Sequence, residues 1–143
     1  MKEKEILDER DKHLVFLGAS IGSGCRPCTK YHVVKSLEAG FTDNEISKII
    51  TMAISVRDLA TRNLDSFVKN KFPEAEPRLG IKENLSRDEI IVDLAVSYTV
   101  NFHPGFLEYK KLAQKSGLNE EQLSEILKFS LAVSDKARSL LME

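Results

Sequence analysis

The chain has 143 residues, 42% hydrophobic and 30% charged, with 21 basic against 22 acidic side chains and a net charge of −1. That length fits one compact domain with a real core, and the balanced charge leaves no field for nucleic acid or an anionic membrane. Seven glycines, four prolines and two cysteines exclude a low-complexity chain and a secreted disulfide scaffold, and no apolar run reaches the ~20 residues of a membrane helix.

The charged start, Met1-Lys2-Glu3-Lys4-Glu5, has no signal-peptide pattern behind it, so a cytoplasmic location is expected. Leu14, Leu17 and Ile21 recur at helical spacing beside Val15 and Phe16, predicting a first helix from about Asp8 to Ile21 that Gly22-Ser23-Gly24 breaks. A second helix is expected from about Arg26 to Ala39, with Val33, Val34 and Leu37 as its apolar face and Gly40 at its left-handed cap. Thr42 and Glu45 form a capping box for a long third helix, Asp43 to about Lys71, carrying Ile46, Ile49, Ile50, Ala53, Ile54 and Val56. Pro73 and Pro77 mark a linker over 72–84. Ser86 and Glu89 box a fourth helix with Ile90, Ile91, Leu94, Ala95 and Tyr98 inward, which His103-Pro104-Gly105 is expected to interrupt. A short helix follows from about Phe106 to Lys115. Gly117 stops it, and Asn119 with Gln122 caps a last helix to the C-terminus. No alternating segment calls for a strand, so the expected class is all-α, with about six helices.

The halves repeat. A gapless offset of 77 pairs Val15 with Val92, Leu17 with Leu94, Ser20 with Ser97, Pro27 with Pro104, Gly40 with Gly117, Ile49 with Ile126 and Val56 with Val133. The expectation is a single domain over 1–143 built from a duplicated three-helix unit: a first copy over about 8–71 and a degenerate second copy over about 85–143. The second copy has Phe102, Gly105 and Tyr109 where the first has Cys25, Cys28 and His32.

Those three residues are the site candidate. On a helix, where each residue advances ~100°, Cys28 to His32 is one turn and Cys25 to His32 two, so all three share a face. Pro27 is tolerated in the first turn. Both sulfurs lie near a helix N-terminus, which favours the thiolate. Such a pair can close a disulfide across one turn, and His32 can take or return the thiol proton. Proximity to His32 favours Cys28 as the coupled thiol, whereas the helix terminus favours Cys25 as the more acidic one.

His13 lies twelve residues before Cys25, and antiparallel packing of the first two helices would bring it level with His32. The rival to redox chemistry is a zinc site of Cys25, Cys28, His32 and His13 in a non-enzymatic helical oligomer, or one whose cysteines only sense redox state. His103 reads as a loop residue of the degenerate copy. Arg57, Asp58 and Asp135, inside otherwise apolar helices, read as a partly buried ion-pair or hydrogen-bonded network. Phe67, Phe72, Phe102 and Phe106 read as surplus apolar positions for a subunit interface.

The stretch Leu7 to Glu45, with Cys25-x-x-Cys28-x-x-x-His32 followed by Ala39-Gly40-Phe41-Thr42-Asp43-Asn44-Glu45, resembles the carboxymuconolactone decarboxylase / alkylhydroperoxidase-D-like family. The resemblance implies an all-α fold of paired helices in a homo-oligomer, a trimer or hexamer. In the family's thiol branch the CxxC pair cycles between dithiol and disulfide, with the histidine and an upstream glutamate as proton relay. By position Cys25 and Cys28 match the redox pair and His32 the relay histidine, while His13 stands where the family has its glutamate. The implied activity is a thiol–disulfide oxidoreductase with alkyl hydroperoxide reductase capacity. It binds no cofactor and draws on an external dithiol, lipoamide-like or a protein thiol, with a peroxiredoxin or lipoyl protein as partner. The family's other branch implies a decarboxylase-like lyase, but that branch generally lacks the cysteine pair.

Overall fold

The computed structural model describes residues 6–74 and 78–143; residues 1–5 and 75–77, with Pro77 of the expected linker, lie outside the described residues. Among the described residues there are six α-helices and no strand, as the all-α expectation requires. They are α1 (Glu9–Gly22), α2 (Arg26–Glu38), α3 (Asp43–Lys69), α4 (Arg87–Thr99), α5 (His103–Lys115) and α6 (Glu120–Leu140). No helix of the described residues is long and apolar enough to cross a membrane.

The starts follow from side-chain caps. Asp8 Oδ1 accepts the Asp11 N–H at 2.7 Å and opens α1. Thr42 with Glu45, Ser86 with Glu89 and Asn119 with Gln122 form complete capping boxes at α3, α4 and α6. One boundary differs from expectation. His103-Pro104-Gly105 does not interrupt a helix but forms the first turn of α5, where a proline lacks nothing a free N–H would supply. The break lies earlier, at Val100–Phe102, where Asn101 takes a left-handed φ of 59°.

α1 and α4 form the centre. Each is buried on nearly every side, and each packs against the other, α3 and α6. α2 flanks α1, and α5 flanks α4. The central pair is parallel. Asp11 faces Arg87 at one end, Gly18 faces Val92 and Ala95 midway, and Gly22 faces Val96 and Thr99 at the other end. Two glycines set the approach: a Cβ on Gly18 would lie 3.0 Å from the Val92 carbonyl oxygen, and one on Gly22 would overlap Thr99 Oγ1.

The N-terminal ends are clamped by ion pairs. Arg87 donates to both oxygens of the buried Asp11 carboxylate, at 2.8 and 3.0 Å. Arg10 donates to Asp88 at 2.7 Å and to Glu45 at 3.0 Å, with its guanidinium over the Phe41 ring. Arg10-Asp11 and Arg87-Asp88 stand at the same offset of 77, so the pairing is reciprocal. Other features coincide at that offset. α2 and α5 occupy matching positions throughout, Gly40 and Gly117 are both left-handed, and Ser20 and Ser97 each donate to the carbonyl three residues back.

Several burial expectations are corrected. Val34, Leu37 and Ile54 are exposed, because α2 and the outer face of α3 have no helix beyond them. Tyr98 is only half-buried, and Phe102 and Phe106 belong to the core rather than to a free surface. Arg57, Asp58 and Asp135 are exposed and form no ion pair with one another, because their helices turn them outward.

In the second half Asp93 stands where the first has Phe16, 5% exposed and without a hydrogen bond or ion pair among the described residues. Burial, with Glu89 adding, raises its pKa from 3.8 to about 8. The same burial, with Asp93 adding, pushes the Tyr109 hydroxyl up. An unfolded Asp93 ionises near 3.8, so its burial costs nothing in ionisation below that pH, and stability falls as pH rises from there until the loss is complete above about 8. Asp93→Asn is therefore expected to stabilise the fold at pH 7 by about 1 kcal/mol or more, with no gain near pH 4; urea unfolding across that range measures it. Gly22→Ala should cost about 1–3 kcal/mol by overpacking against Thr99, and Gly22→Ala/Thr99→Ala should recover part of the loss in the same assay.

Candidate functional site

The Gly22-Ser23-Gly24 break turns the chain out of α1. Gly24 takes φ 67°, and its N–H donates to the Ile21 carbonyl. Cys25 follows in extended conformation as the N-cap of α2. Its N–H donates to the Ser20 carbonyl at 3.1 Å, and its own carbonyl accepts the Thr29 hydroxyl at 2.8 Å, so the residue is fixed from both sides. Its sulfur accepts the Cys28 N–H at 3.2 Å, one of the donors a helix start leaves free. Cys25 and Cys28 are joined by a disulfide with Cα atoms 5.3 Å apart, and both are nearly buried.

His32 is one turn past Cys28 and half-buried. Its ring stacks on Phe16 of α1 at 5.0 Å and meets the edge of Tyr31 at 5.2 Å; Phe129 of α6 backs Phe16. His13 lies within 3.2 Å of the Ser36 hydroxyl through Nδ1 and meets Phe41 edge-on. These contacts make α1 and α2 antiparallel, as expected, and bring His13 to the level of His32 and Ser36. Burial lowers the His32 pKa below 6.5, and the nearby His13 lowers it further. In the disulfide state no hydrogen bond joins His32 to either sulfur.

Cys25, Cys28, His32 and His13 thus share one region between α1 and α2. His103 stands apart, exposed, as the first residue of α5 rather than in a loop. The alternative zinc set is not assembled: the disulfide occupies both sulfurs, and among the described residues no group of three or more His, Cys, Asp or Glu is placed to hold a metal ion. Sequence reasoning missed Ser36 and Phe16. Ser36 was findable, because it extends the Cys28–His32 face by one more turn. Phe16 was not, because its contact with His32 crosses from another helix.

The second half differs at the positions that match by the offset of 77. Phe102 lies over Gly105 so closely that any Cβ there would overlap its ring. Tyr109, buried, occupies the position of His32.

The carboxymuconolactone decarboxylase family matches over residues 1–63, the part that carries both cysteines and His32, and the match supports the family read from the motif. A search of curated proteins found no match.

His13→Ala removes the smaller of the two causes acting on His32. The His32 pKa should rise on that substitution yet stay below 6.5, because burial remains; His13→Glu should raise it further. Proton NMR titration of the ring resonances measures both.

Proposed function

We propose that the chain is a cytoplasmic thiol–disulfide oxidoreductase that reduces organic hydroperoxides. The observation that carries this reading is the Cys25–Cys28 disulfide in the first turn of α2, with His32 one turn further on. The family match supports it coarsely, since that family includes enzymes of this kind.

In the reduced state the Cys28 thiolate attacks the terminal peroxide oxygen. The O–O bond breaks, the alkoxide leaves as the alcohol with a proton returned by His32, and Cys28 becomes a sulfenic acid. The Cys25 thiolate then displaces hydroxide, released as water, and the disulfide forms. Cys25 suits the leaving-group role in later reduction, because its sulfur already accepts the Cys28 N–H at the helix terminus. An external dithiol, lipoamide-like or a protein thiol, opens the disulfide through a mixed disulfide and is itself oxidised; the partner class is a lipoyl protein or a peroxiredoxin. His13 in place of a carboxylate changes the relay's sign. When protonated it is a cation beside His32, so it favours neutral, proton-accepting His32.

A homo-oligomer, trimer or hexamer, is part of this reading, and the exposed Val34, Leu37 and Ile54 support it. So is duplication of a three-helix unit, supported by the coincidence of α2 with α5 and by the reciprocal Arg–Asp pairs.

Thiol counting tests the cycle. Two thiols per reduced chain should fall to none with an organic hydroperoxide and return with dihydrolipoamide. Cys25→Ser and Cys28→Ser should each abolish turnover, and His32→Ala should slow it roughly 10²-fold. If neither thiol is alkylated faster than free cysteine near neutral pH, the reading fails. Activity that survives loss of both cysteines would favour the decarboxylase-like lyase instead.

A further inference from the structure

A cleft of about 590 Å³ opens between the outer half of α3 and the α4–α5 junction, at the end of the bundle where both central helices stop. Its volume is that of a small-molecule site. The walls carry apolar surface from Leu64, Phe67 and Phe102, of which Leu64 and Phe67 are exposed. Arg57 is the charged side chain in its lining. Arg57 and His103 line it, and no acidic side chain does, although acidic and basic residues are almost equal in number over the chain.

Arg57 is poised rather than employed. Its guanidinium lies across Gly24, where a Cβ would be 3.4 Å from Nη2, and it makes no hydrogen bond or ion pair among the described residues. Arg10 and Arg87, at the opposite end of the central helices, are instead spent on carboxylates. A planar guanidinium pairs with a carboxylate through two parallel hydrogen bonds. A cleft with apolar wall residues, the polar Thr61, Asn63 and Asn101, and an unpaired guanidinium in its lining is complementary to a molecule with an apolar body and one carboxylate.

We propose that this cleft binds a medium-chain carboxylate, its head on Arg57 beside the loop that leads to Cys25 and its chain along Leu64, Phe67 and Phe102. The inference does not rest on the thiol chemistry, because neither sulfur lines the cleft.

Calorimetric titration of the full chain with decanoate below its micelle concentration tests it. Saturable binding of one decanoate per chain is expected, with decyltrimethylammonium and butyrate each at least tenfold weaker. Arg57→Gln should weaken decanoate at least tenfold, Arg57→Lys less, and Ala60→Trp should fill the cleft and abolish binding, all with unchanged helical circular dichroism. Cys25→Ser/Cys28→Ser should bind as the natural chain does; loss there would move the ligand to the disulfide and overturn the assignment. Equal binding of decyltrimethylammonium, or an Arg57→Gln variant that binds normally, would also overturn it. So would a chain that takes no decanoate but falls to a smaller sedimentation coefficient on Phe67→Glu, which would give the wall to a second copy.

Discussion

The close, parallel packing of α1 against α4 is the constraint on which the rest depends. Parallel helices that are not adjacent in the chain cannot be joined by a short turn, so two further helices must carry the chain back to the end where it began. α2 and α3 do this for the first half. The buried Asp11 carboxylate makes the register costly to slip, because a shifted α4 would leave a charge without Arg87 in a low-dielectric position. The glycines act midway at 18 and at the other end at 22, where only backbone can come so near Val92 and Val96. The consequence for chemistry is positional. Both central helices stop at one end of the bundle, so the cysteine loop and the α4–α5 junction emerge side by side.

The disulfide draws on that frame. α1 is held by α4, and α2 then hangs on α1 through Phe16, His13 and the Ser20 carbonyl. The peripheral place of α2 explains its composition. Cys28 and Ser36 are the buried residues of the helix, and the apolar side chains at 34 and 37 look outward. A disulfide in such a position is shielded by its own neighbours yet lies on a helix with little above it.

Much of this was legible in the sequence, for identifiable reasons. The three capping boxes and the left-handed glycines are local signals, set by residues three or four apart, and they placed most helix ends within two residues. The one-turn spacing of Cys28 and His32 followed from helical geometry, whereas Cys25 precedes the helix as its extended N-cap. What failed depended on contacts between distant residues or on which side of a helix has a neighbour. The apolar run of α2 resembled a core face because sequence does not reveal that the helix lies at the edge. The Arg10-Asp11 and Arg87-Asp88 pairs were in plain view 77 residues apart, but their meaning needed the parallel arrangement. His103-Pro104-Gly105 misled because glycine and proline punctuate chains in both directions; the matching Arg26-Pro27 start argued for the reading the structure adopts.

Phe102 over Gly105 has an evolutionary consequence. A cysteine at 105 has no room for its Cβ while the ring stands there, and a cysteine at 102 alone would leave a ring-sized void in a buried position. Each single step toward a second cysteine pair is therefore penalised, and only the paired change is tolerable. The two positions are coupled by this steric epistasis, so a cysteine pair at 102 and 105 is reached only by simultaneous substitution.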